Sequence, residues 1–264
     1  MTTDLRKSII MILAGFSLGF VFLVTNGASG FAQYETAFFL EKLLSIDNLA
    51  VMATLFVAFR ATTEEQHKAL NYGIAGAIVM RLAFILIGAE ALERYEFMSI
   101  VFGAILGYSG YKMMSTKHDD DDEPAIVDKL RRRFPKMSTL FMLILAVELT
   151  DLMFAVDSVP AVLSVTDNRL IAFTSNVMAI LGLRALFFVL KDGMDRIKYL
   201  NQTLAIVLIF VGIKMAVSHW IHIHELLNMA VIFSMFAIGV IASFRPSRVS
   251  EEQILADHLP TERV

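Results

Sequence analysis

Long apolar stretches, separated by short polar segments, recur along almost the whole chain. A helix that crosses the hydrocarbon core of a bilayer needs about 20 mostly apolar residues. The pattern predicts an all-α fold, a polytopic bundle of about eight transmembrane helices. The candidate spans are 8–25, 36–59, 72–91, 97–114, 139–165, 170–190, 201–218 and 225–244.

The first candidate span, 8–25, follows Arg6 and Lys7, as the apolar part of a signal peptide does. Residues 27–30 would be an acceptable cleavage region. The apolar stretch, however, is longer than the roughly 7–15 residues of a signal peptide. We therefore expect a retained anchor helix, and its cleavage would leave seven spans in unchanged orientations.

Positive charges are unevenly distributed among the segments that join these spans. With the N-terminus in the cytoplasm, 17 of the 23 Lys and Arg residues lie on the cytoplasmic side, and only Arg94 and Arg169 lie on the other. The remaining four fall within spans. Because the cytoplasmic loops of membrane proteins carry the excess of Lys and Arg, we expect both termini in the cytoplasm.

Composition supports a membrane protein. Apolar residues make up 56% of the 264 and charged residues 19%, whereas soluble domains have about 45–50% and 25%. A net charge of −3 provides no broad basic surface for nucleic acid. The chain has no cysteine, which excludes disulfides and thiolate metal ligands.

One charged linker divides the chain. Residues 115–138 contain the acidic run 119–123 and the basic cluster 131–133, a composition that predicts a flexible cytoplasmic loop, with a weak metal-attracting patch as the alternative. The expected parts are an anchor helix with an outer loop (1–30), a first three-helix unit (31–114), the linker (115–138), a second three-helix unit (139–218), a final transmembrane helix (219–244) and a cytoplasmic tail (245–264).

Acidic residues recur at matching positions in the second and fifth spans. Each span has an acid six residues before a central aspartate, and a small polar residue follows that aspartate. Because the offset of about 110 residues covers three helices, the second unit is expected to be inverted relative to the first, which is a common transporter layout. The residues are Glu41, Asp47 and Asn48 in one span and Asp151, Asp157 and Ser158 in the other.

A weaker echo follows in the next helices. Asn71 precedes Arg81 in one unit, and Asn176 precedes Arg184 in the other, with a spacing that differs by two residues. The simplest interpretation of the two arginines is that they form structural ion pairs with the buried acids.

Five carboxylates within spans are costly. An ionised side chain at the middle of a bilayer costs roughly 2.5–3.5 kcal/mol on insertion scales, and two arginines cannot neutralise all five. A bound cation, protonation or water must offset the rest. The five are Glu41, Asp47, Glu148, Asp151 and Asp157.

Pro160 leaves the carbonyl of Val156 without its helical partner. The result is either a simple kink or a break in the helix. A break would let the acids of this span converge, although Asp151 and Asp157 differ by about 120° around an unbroken helix.

Carboxylate, amide, hydroxyl and backbone carbonyl groups are hard oxygen donors, which favour Mg²⁺, Ca²⁺ or Mn²⁺. A second candidate, His219, His222 and His224 before Glu225, has a spacing compatible with metal binding. That segment falls at the predicted membrane surface, where histidines beside an interfacial tryptophan need no metal.

Two segments, FLEKLLSIDNLAV and VELTDLMFAVDSVPAVLSVTDNRLIAFTSNVMAILGLRALFF, resemble the TerC family of integral membrane proteins. They are also similar to its manganese-exporting Alx-type branch within the LysE-type transporter superfamily. The resemblance covers about residues 33–220. It implies export of Mn²⁺ from the cytoplasm, with Glu41, Asp47 and Asp157 as the central metal-binding acids. Further residues of the same motifs are expected to contribute: Asn48, Glu148, Asp151 and Ser158.

We therefore expect a secondary transporter that exports a divalent metal, Mn²⁺ first, by alternating access between two inverted units. Protonation of one acid would couple export to proton entry. A Ca²⁺ transporter and a non-transporting assembly or tellurium-resistance factor are the alternatives. An intramembrane aspartyl protease is disfavoured because neither IDN nor VDS has the GxGD flank of those enzymes, so no enzymatic activity is expected.

The expected location is the inner membrane of a bacterium. The lipid bilayer and the transported ion are the expected partners, with no permanently bound cofactor and no nucleic acid. The oligomeric state stays open.

Overall fold

The structure of the protein is a computed structural model that describes residues 3–115, 125–134, 137–182, 187, 199–218, 220–221 and 223–243. Within these ranges the chain forms eight helices and no strand, which confirms the all-α prediction. In chain order they are α1 (Thr3–Ala58), α2 (Thr63–Arg94), α3 (Met98–Ser115), α4 (Ala125–Arg133), α5 (Thr139–Leu163), α6 (Arg169–Leu181), α7 (Leu200–Ala216) and α8 (Glu225–Ser243).

Helix α1 folds back on itself at Gly27. The backbone there has φ 71° and ψ −166°, a conformation that favours glycine because any side chain would be strained. The Tyr34 hydroxyl donates a hydrogen bond of 2.9 Å to the carbonyl oxygen of Gly15, although one straight helix would hold these residues about 28 Å apart. α1 therefore has a first arm before Gly27 and a second arm after it, which correspond to the predicted spans 8–25 and 36–59.

Four helical segments of the described chain are long and apolar enough to cross a membrane. They are Ser8–Ser45, Thr63–Arg94, Thr139–Leu163 and Glu225–Ser243. Helices α6 and α7 are shorter and apolar, and α3 covers the predicted span 97–114. Of the predicted span 170–190, most of the part after α6 lies outside the described residues. Large apolar side chains such as Val79 and Ile238 are exposed on the outside of the bundle, as expected of a surface in contact with lipid.

Side-chain caps define where three helices begin. Thr62 and Glu65 form a reciprocal capping box at the start of α2. The side chains of Ser138 and Asn168 accept backbone hydrogen bonds at the starts of α5 and α6. Because these caps satisfy N–H groups that a helix leaves free, they fix the register of the helices that carry most of the candidate site.

The second arm of α1 is the central element of the bundle. It packs against α5, α6 and α8, and Phe39 stacks on Phe233 of α8 with 4.1 Å between ring centroids. Helix α2 packs against α5 and α6, and α3 packs against α7. The buried core is formed by residues of the second arm, α2, α5, α6 and α7.

Of the two outcomes expected at Pro160, the break does not occur, and the prediction of a loop over 115–138 is wrong in part. Helix α5 continues through Pro160 to Leu163 without a break. Pro160 removes only the one hydrogen bond that the Val156 carbonyl would accept, and the helical pattern continues beyond it, because the N–H of Ser164 donates to the carbonyl oxygen of Pro160 at 2.9 Å. The linker 115–138 is also not a loop throughout, because α4 forms within it and buries Val127 and Leu130.

The two apolar residues of α4 stand three positions apart, so they share one face of the helix. Arg131 fixes the helix to the second arm, donating from Nη2 to the carbonyl oxygen of Ala58 at 2.8 Å. The acidic run 119–123 and the tail 245–264 lie outside the described residues.

Helices α3 and α7 cross at a pair of glycines. A Cβ atom on Gly103 would lie 2.6 Å from the carbonyl oxygen of Gly212, and one on Gly212 would lie 2.7 Å from the carbonyl oxygen of Gly103. Small residues allow such close backbone approach between membrane helices. Gly107 lies one turn along α3 from Gly103, and a Cβ there would meet nothing within 4 Å.

We expect Gly103→Ala and Gly212→Ala to lower the Tm of the purified protein in detergent by several degrees, since overpacking costs about 1–3 kcal/mol. Gly107→Ala, the matched control, should leave the Tm equal or higher, because alanine is the better helix former. Thermal unfolding followed by tryptophan and tyrosine fluorescence measures all three. A Tm loss for Gly107→Ala as large as that for Gly103→Ala would contradict this account of the crossing.

Candidate functional site

Among the described residues, one fully buried guanidinium lies at the centre of the bundle. Arg81 of α2 has an exposed fraction of 0%, and its Nη1 pairs with the carboxylate of Glu41, whose side chain is also 0% exposed. The same nitrogen donates to Ser158 Oγ at 2.7 Å and to Asn176 Oδ1 at 3.3 Å. Nη2 donates to Asp151 Oδ1 at 3.3 Å. We call these five residues the arginine cluster.

Helix periodicity explains why these residues meet. Asp151 and Ser158 are seven positions apart and therefore share one face of α5. Asp151 stands at the midpoint of this 25-residue helix, about 18 Å from either end. Glu41 comes from the second arm, and its Oε2 accepts from Asn176 Nδ2 of α6 at 3.2 Å. Four helices thus contribute to one cluster near the middle of the bundle.

The arginine cluster pairs its buried charges, but it does not use all of their hydrogen-bonding groups. A charge removed from water is tolerated only when it is paired and hydrogen-bonded, and here two carboxylates face one guanidinium. Among the described residues, neither the Nε of Arg81 nor the Oδ2 of Asp151 has a hydrogen-bond partner. The pair therefore keeps one unused donor and one unused acceptor.

Asp157 points to a different neighbour. It lies six residues beyond Asp151, about 120° around α5, and its Oδ1 accepts from Ser109 Oγ of α3 at 2.6 Å. Beside it is a cavity of about 50 Å³. The polar lining residues are Asn48, Ser109, Asp157 and Ser158, and the apolar ones are Leu44, Met113, Phe154 and Leu208. We call this the oxygen-lined cavity, and Ser158 connects it to the arginine cluster.

The structure separates the predicted site residues into groups. Glu41, Asp151 and Ser158 are in the arginine cluster, whereas Asn48 and Asp157 line the oxygen-lined cavity. Glu148 lies one turn before Asp151, packed where a side chain on Gly76 of α2 would be. Asp47 is within the second arm, but its side chain lies outside the described part, as does all of Arg184. No three His, Cys, Asp or Glu side chains converge as a metal site among those described.

Sequence reasoning missed several of these contacts. Ser45, one turn after Glu41, donates to Glu41 Oε1 at 3.4 Å, and its spacing was a usable signal. Asn176 was visible only as part of the repeat, and Ser109 had no local signal at all. A further acid, Glu35, is buried beside Gly19 between the two arms, and its Oε1 has no partner within the described chain.

Lys42 has a structural contact nearby. Its side chain is buried, and Nζ donates to the carbonyl oxygen of Ala179 at 2.6 Å. Ala179 belongs to the last turn of α6, where carbonyls lack helical partners and the helix dipole favours a cation. Lys42 thus attaches the end of α6 to the second arm, directly beside the arginine cluster.

A larger cavity lies elsewhere, among the loops at one end of the bundle. It has about 760 Å³ and is lined by Gln33, Asp167, Lys214, His224 and Glu225 among others. Lys214 Nζ donates there to the carbonyl oxygen of Ser164 at 2.8 Å. Of the predicted histidine group only His224 is described, while His219 and His222 lie outside the described residues.

We expect Arg81→Met to destabilise the protein strongly. Breaking a buried ion pair costs about 3–5 kcal/mol, because Glu41 and Asp151 would lose their shared counter-charge. At an exposed site, Arg169 also pairs with two carboxylates, those of Glu90 at 3.3 Å and Glu93 at 2.6 Å. The matched control is Arg169→Met. Its Tm in detergent should change little. Equal loss of Tm in both variants would show that the arginine cluster does not hold the bundle together.

Comparison with known proteins gives the family. The sequence model of the integral membrane protein TerC family matches residues 26–251. The thylakoid membrane protein TERC, chloroplastic, of Arabidopsis thaliana is 33% identical over 262 aligned residues, which cover 91% of this chain and 68% of the relative. The putative membrane-bound redox modulator Alx of Salmonella typhi is 34% identical over 228 residues, covering 79% and 71%.

A third relative, the uncharacterized membrane protein STKORF319 of Myxococcus xanthus, is 35% identical over 236 residues, covering 82% of this chain and 74% of the relative. No solved structure is significantly similar to this chain. The family model matches most of the chain, and the aligned regions cover more than two thirds of each of these relatives. The chain therefore belongs to the TerC family of integral membrane proteins.

Proposed function

We propose that this protein is a secondary transporter that exports a divalent metal ion, Mn²⁺ first, from the cytoplasm. The observation that carries the proposal is the oxygen-lined cavity, which places Asp157 and Asn48 beside the arginine cluster near the middle of the bundle. Transporters bind their ions at such a position, near the bilayer midplane and between structural repeats.

The donor set suits a hard cation. Asp157 supplies a carboxylate, Asn48 an amide oxygen, and Ser109 and Ser158 supply hydroxyls. Such oxygens are the ligands that Mg²⁺, Ca²⁺ and Mn²⁺ prefer. One water needs at least about 10–15 Å³ of accessible volume, so a cavity of about 50 Å³ has room for an ion with part of its hydration shell. Glu41 and Asp47 are the further acids that would complete the site.

The packing of the helices supports two inverted units. In such a repeat α5 corresponds to the second arm, α6 to α2 and α7 to α3. A two-fold axis between the units would then turn the contact of the second arm with α6 into the contact of α5 with α2. Both contacts exist. The same axis relates α3 to α7, which cross with Gly103 and Gly212 facing each other. These glycines are 109 positions apart, close to the 110 that separate Glu41 from Asp151. Alternating access then follows as rocking of one unit against the other.

The direction of transport rests on the topology that the Lys and Arg distribution predicts, with both termini in the cytoplasm of a bacterium and the chain in its inner membrane. The exposed Lys129, Arg132 and Arg133 of α4 agree with a cytoplasmic position for that helix.

We expect Asp157→Asn to reduce Mn²⁺ transport at least tenfold while leaving the Tm nearly unchanged, because asparagine keeps an acceptor for Ser109 but removes the charged ligand. The measurement is uptake of radioactive Mn²⁺ into liposomes that contain the purified protein. The matched control is Asp167→Asn, the same change at an exposed position near the end of the bundle, which should transport at the wild-type rate. Wild-type transport by Asp157→Asn would contradict the proposed site.

A competition panel in the same liposomes separates the alternatives. Excess unlabelled Mn²⁺, Ca²⁺ or Mg²⁺, with and without a pH gradient, identifies the preferred ion and any coupling to protons. Stronger inhibition by Ca²⁺ than by Mn²⁺ would make the protein a calcium transporter. Absence of transport for every ion would support the non-transporting assembly or tellurium-resistance factor.

A further inference from the structure

One side chain competes for the oxygens that the proposed function needs. Arg81 holds Glu41 and Ser158, and Ser158 also lines the oxygen-lined cavity. A cation and a guanidinium cannot use the same carboxylate oxygens together, because both are positive and the buried site has a low dielectric constant. Arg81 contacts Oε1 of Glu41, and a cation bound at this carboxylate would repel the guanidinium from it.

The structure contains a second place for Arg81. Asp151 contacts the guanidinium through only one of its oxygens, Oδ1, and its Oδ2 has no partner among the described residues. The Nε of Arg81 is likewise unpartnered there. One unused donor and one unused acceptor on the same ion pair are what a bidentate arginine–carboxylate contact requires.

There is also space beside this second place. A small cavity of about 20 Å³ is lined by Asp151 and by Gly73, Ile74 and Ala77 of α2, the helix that carries Arg81. Ala77 lies one turn before Arg81. A guanidinium that turns from Glu41 toward Asp151 therefore moves along its own helix toward existing space.

We propose that Arg81 is a tethered cation that alternates with the transported ion, bridging Glu41, Ser158 and Asp151 when no ion is bound and pairing with Asp151 alone when an ion binds Glu41. Asp151 is then a partner of Arg81 and not a metal ligand. This inference rests on the proposed function. Its consequence is that Arg81 gives Glu41 a counter-charge while the carrier returns without an ion. Without Arg81, the Glu41 carboxylate would lie unpaired in the bilayer during this step, at high cost.

The test compares two modes of transport in liposomes. Net uptake of Mn²⁺ requires the carrier to return without an ion, whereas exchange of external radioactive Mn²⁺ for internal unlabelled Mn²⁺ does not. The main variant is the double substitution Arg81→Gln with Asp151→Asn, which removes the arginine together with its proposed resting partner. The net charge of the cluster therefore stays as in wild type in both states, and the change is that Glu41 lacks its guanidinium partner in the ion-free state.

We expect this double variant to keep exchange within about threefold of wild type and to lose net uptake at least tenfold. Arg169→Gln, the matched control at the exposed ion pairs, should keep both modes. Loss of exchange by the folded double variant would show that Arg81 is needed for ion binding itself, and retained net uptake would show that the return step does not need it. Either result overturns the inference, whereas a wild-type protein inactive in both modes would overturn the proposed function.

A measurement on the wild-type protein covers the case in which the double variant does not fold. Infrared difference spectra with and without Mn²⁺, recorded on unlabelled protein and on protein with ¹⁵N-labelled arginine, report changes at guanidinium groups. We expect isotope-sensitive arginine bands on Mn²⁺ binding, of equal size in Arg169→Gln. Their absence while Mn²⁺ binds would overturn the exchange of partners.

Discussion

The structure depends on one buried guanidinium shared between two carboxylates. Arg81, Glu41 and Asp151 come from three different helices and meet near the middle of the bundle. None of these charges would be stable there alone. Their pairing explains how a bundle that is mainly apolar tolerates acids at its centre, and it fixes α2 against α5 and the second arm. It also determines which oxygens are free to bind anything else.

Much of the fold follows from the sequence because its causes are local. Apolar length predicted the helices, and Gly27 stands between two of the predicted spans, where α1 reverses. The positions that failed depend on context. Pro160 removes one hydrogen bond of α5, and packing of the buried residues around it keeps the helix continuous. Val127 and Leu130 form part of α4 because the apolar ends of neighbouring helices cover them.

The candidate site was predictable only in part, for a physical reason. The repeated spacing of acids and small polar residues in two apolar spans identified Glu41, Asp151 and Ser158. Other contacts depend on helices that are distant in sequence. They include the pairing of Arg81 with particular carboxylates and the hydrogen bond that Ser109 of α3 donates to Asp157. The same limit explains why Asp157, as a central acid, and Asp151, as a further contributor, were both expected to bind metal, although they face different neighbours around α5.

The most direct test of this account is anomalous X-ray diffraction from crystals of the protein grown with Mn²⁺. The account predicts one strong anomalous peak in the oxygen-lined cavity, within about 2.0–2.6 Å of oxygens of Asp157 and Glu41, the range for hard divalent cations, with Arg81 paired to Asp151 alone. A peak only outside the centre of the bundle, or Arg81 still bound to Glu41 beside an occupied cavity, would contradict it.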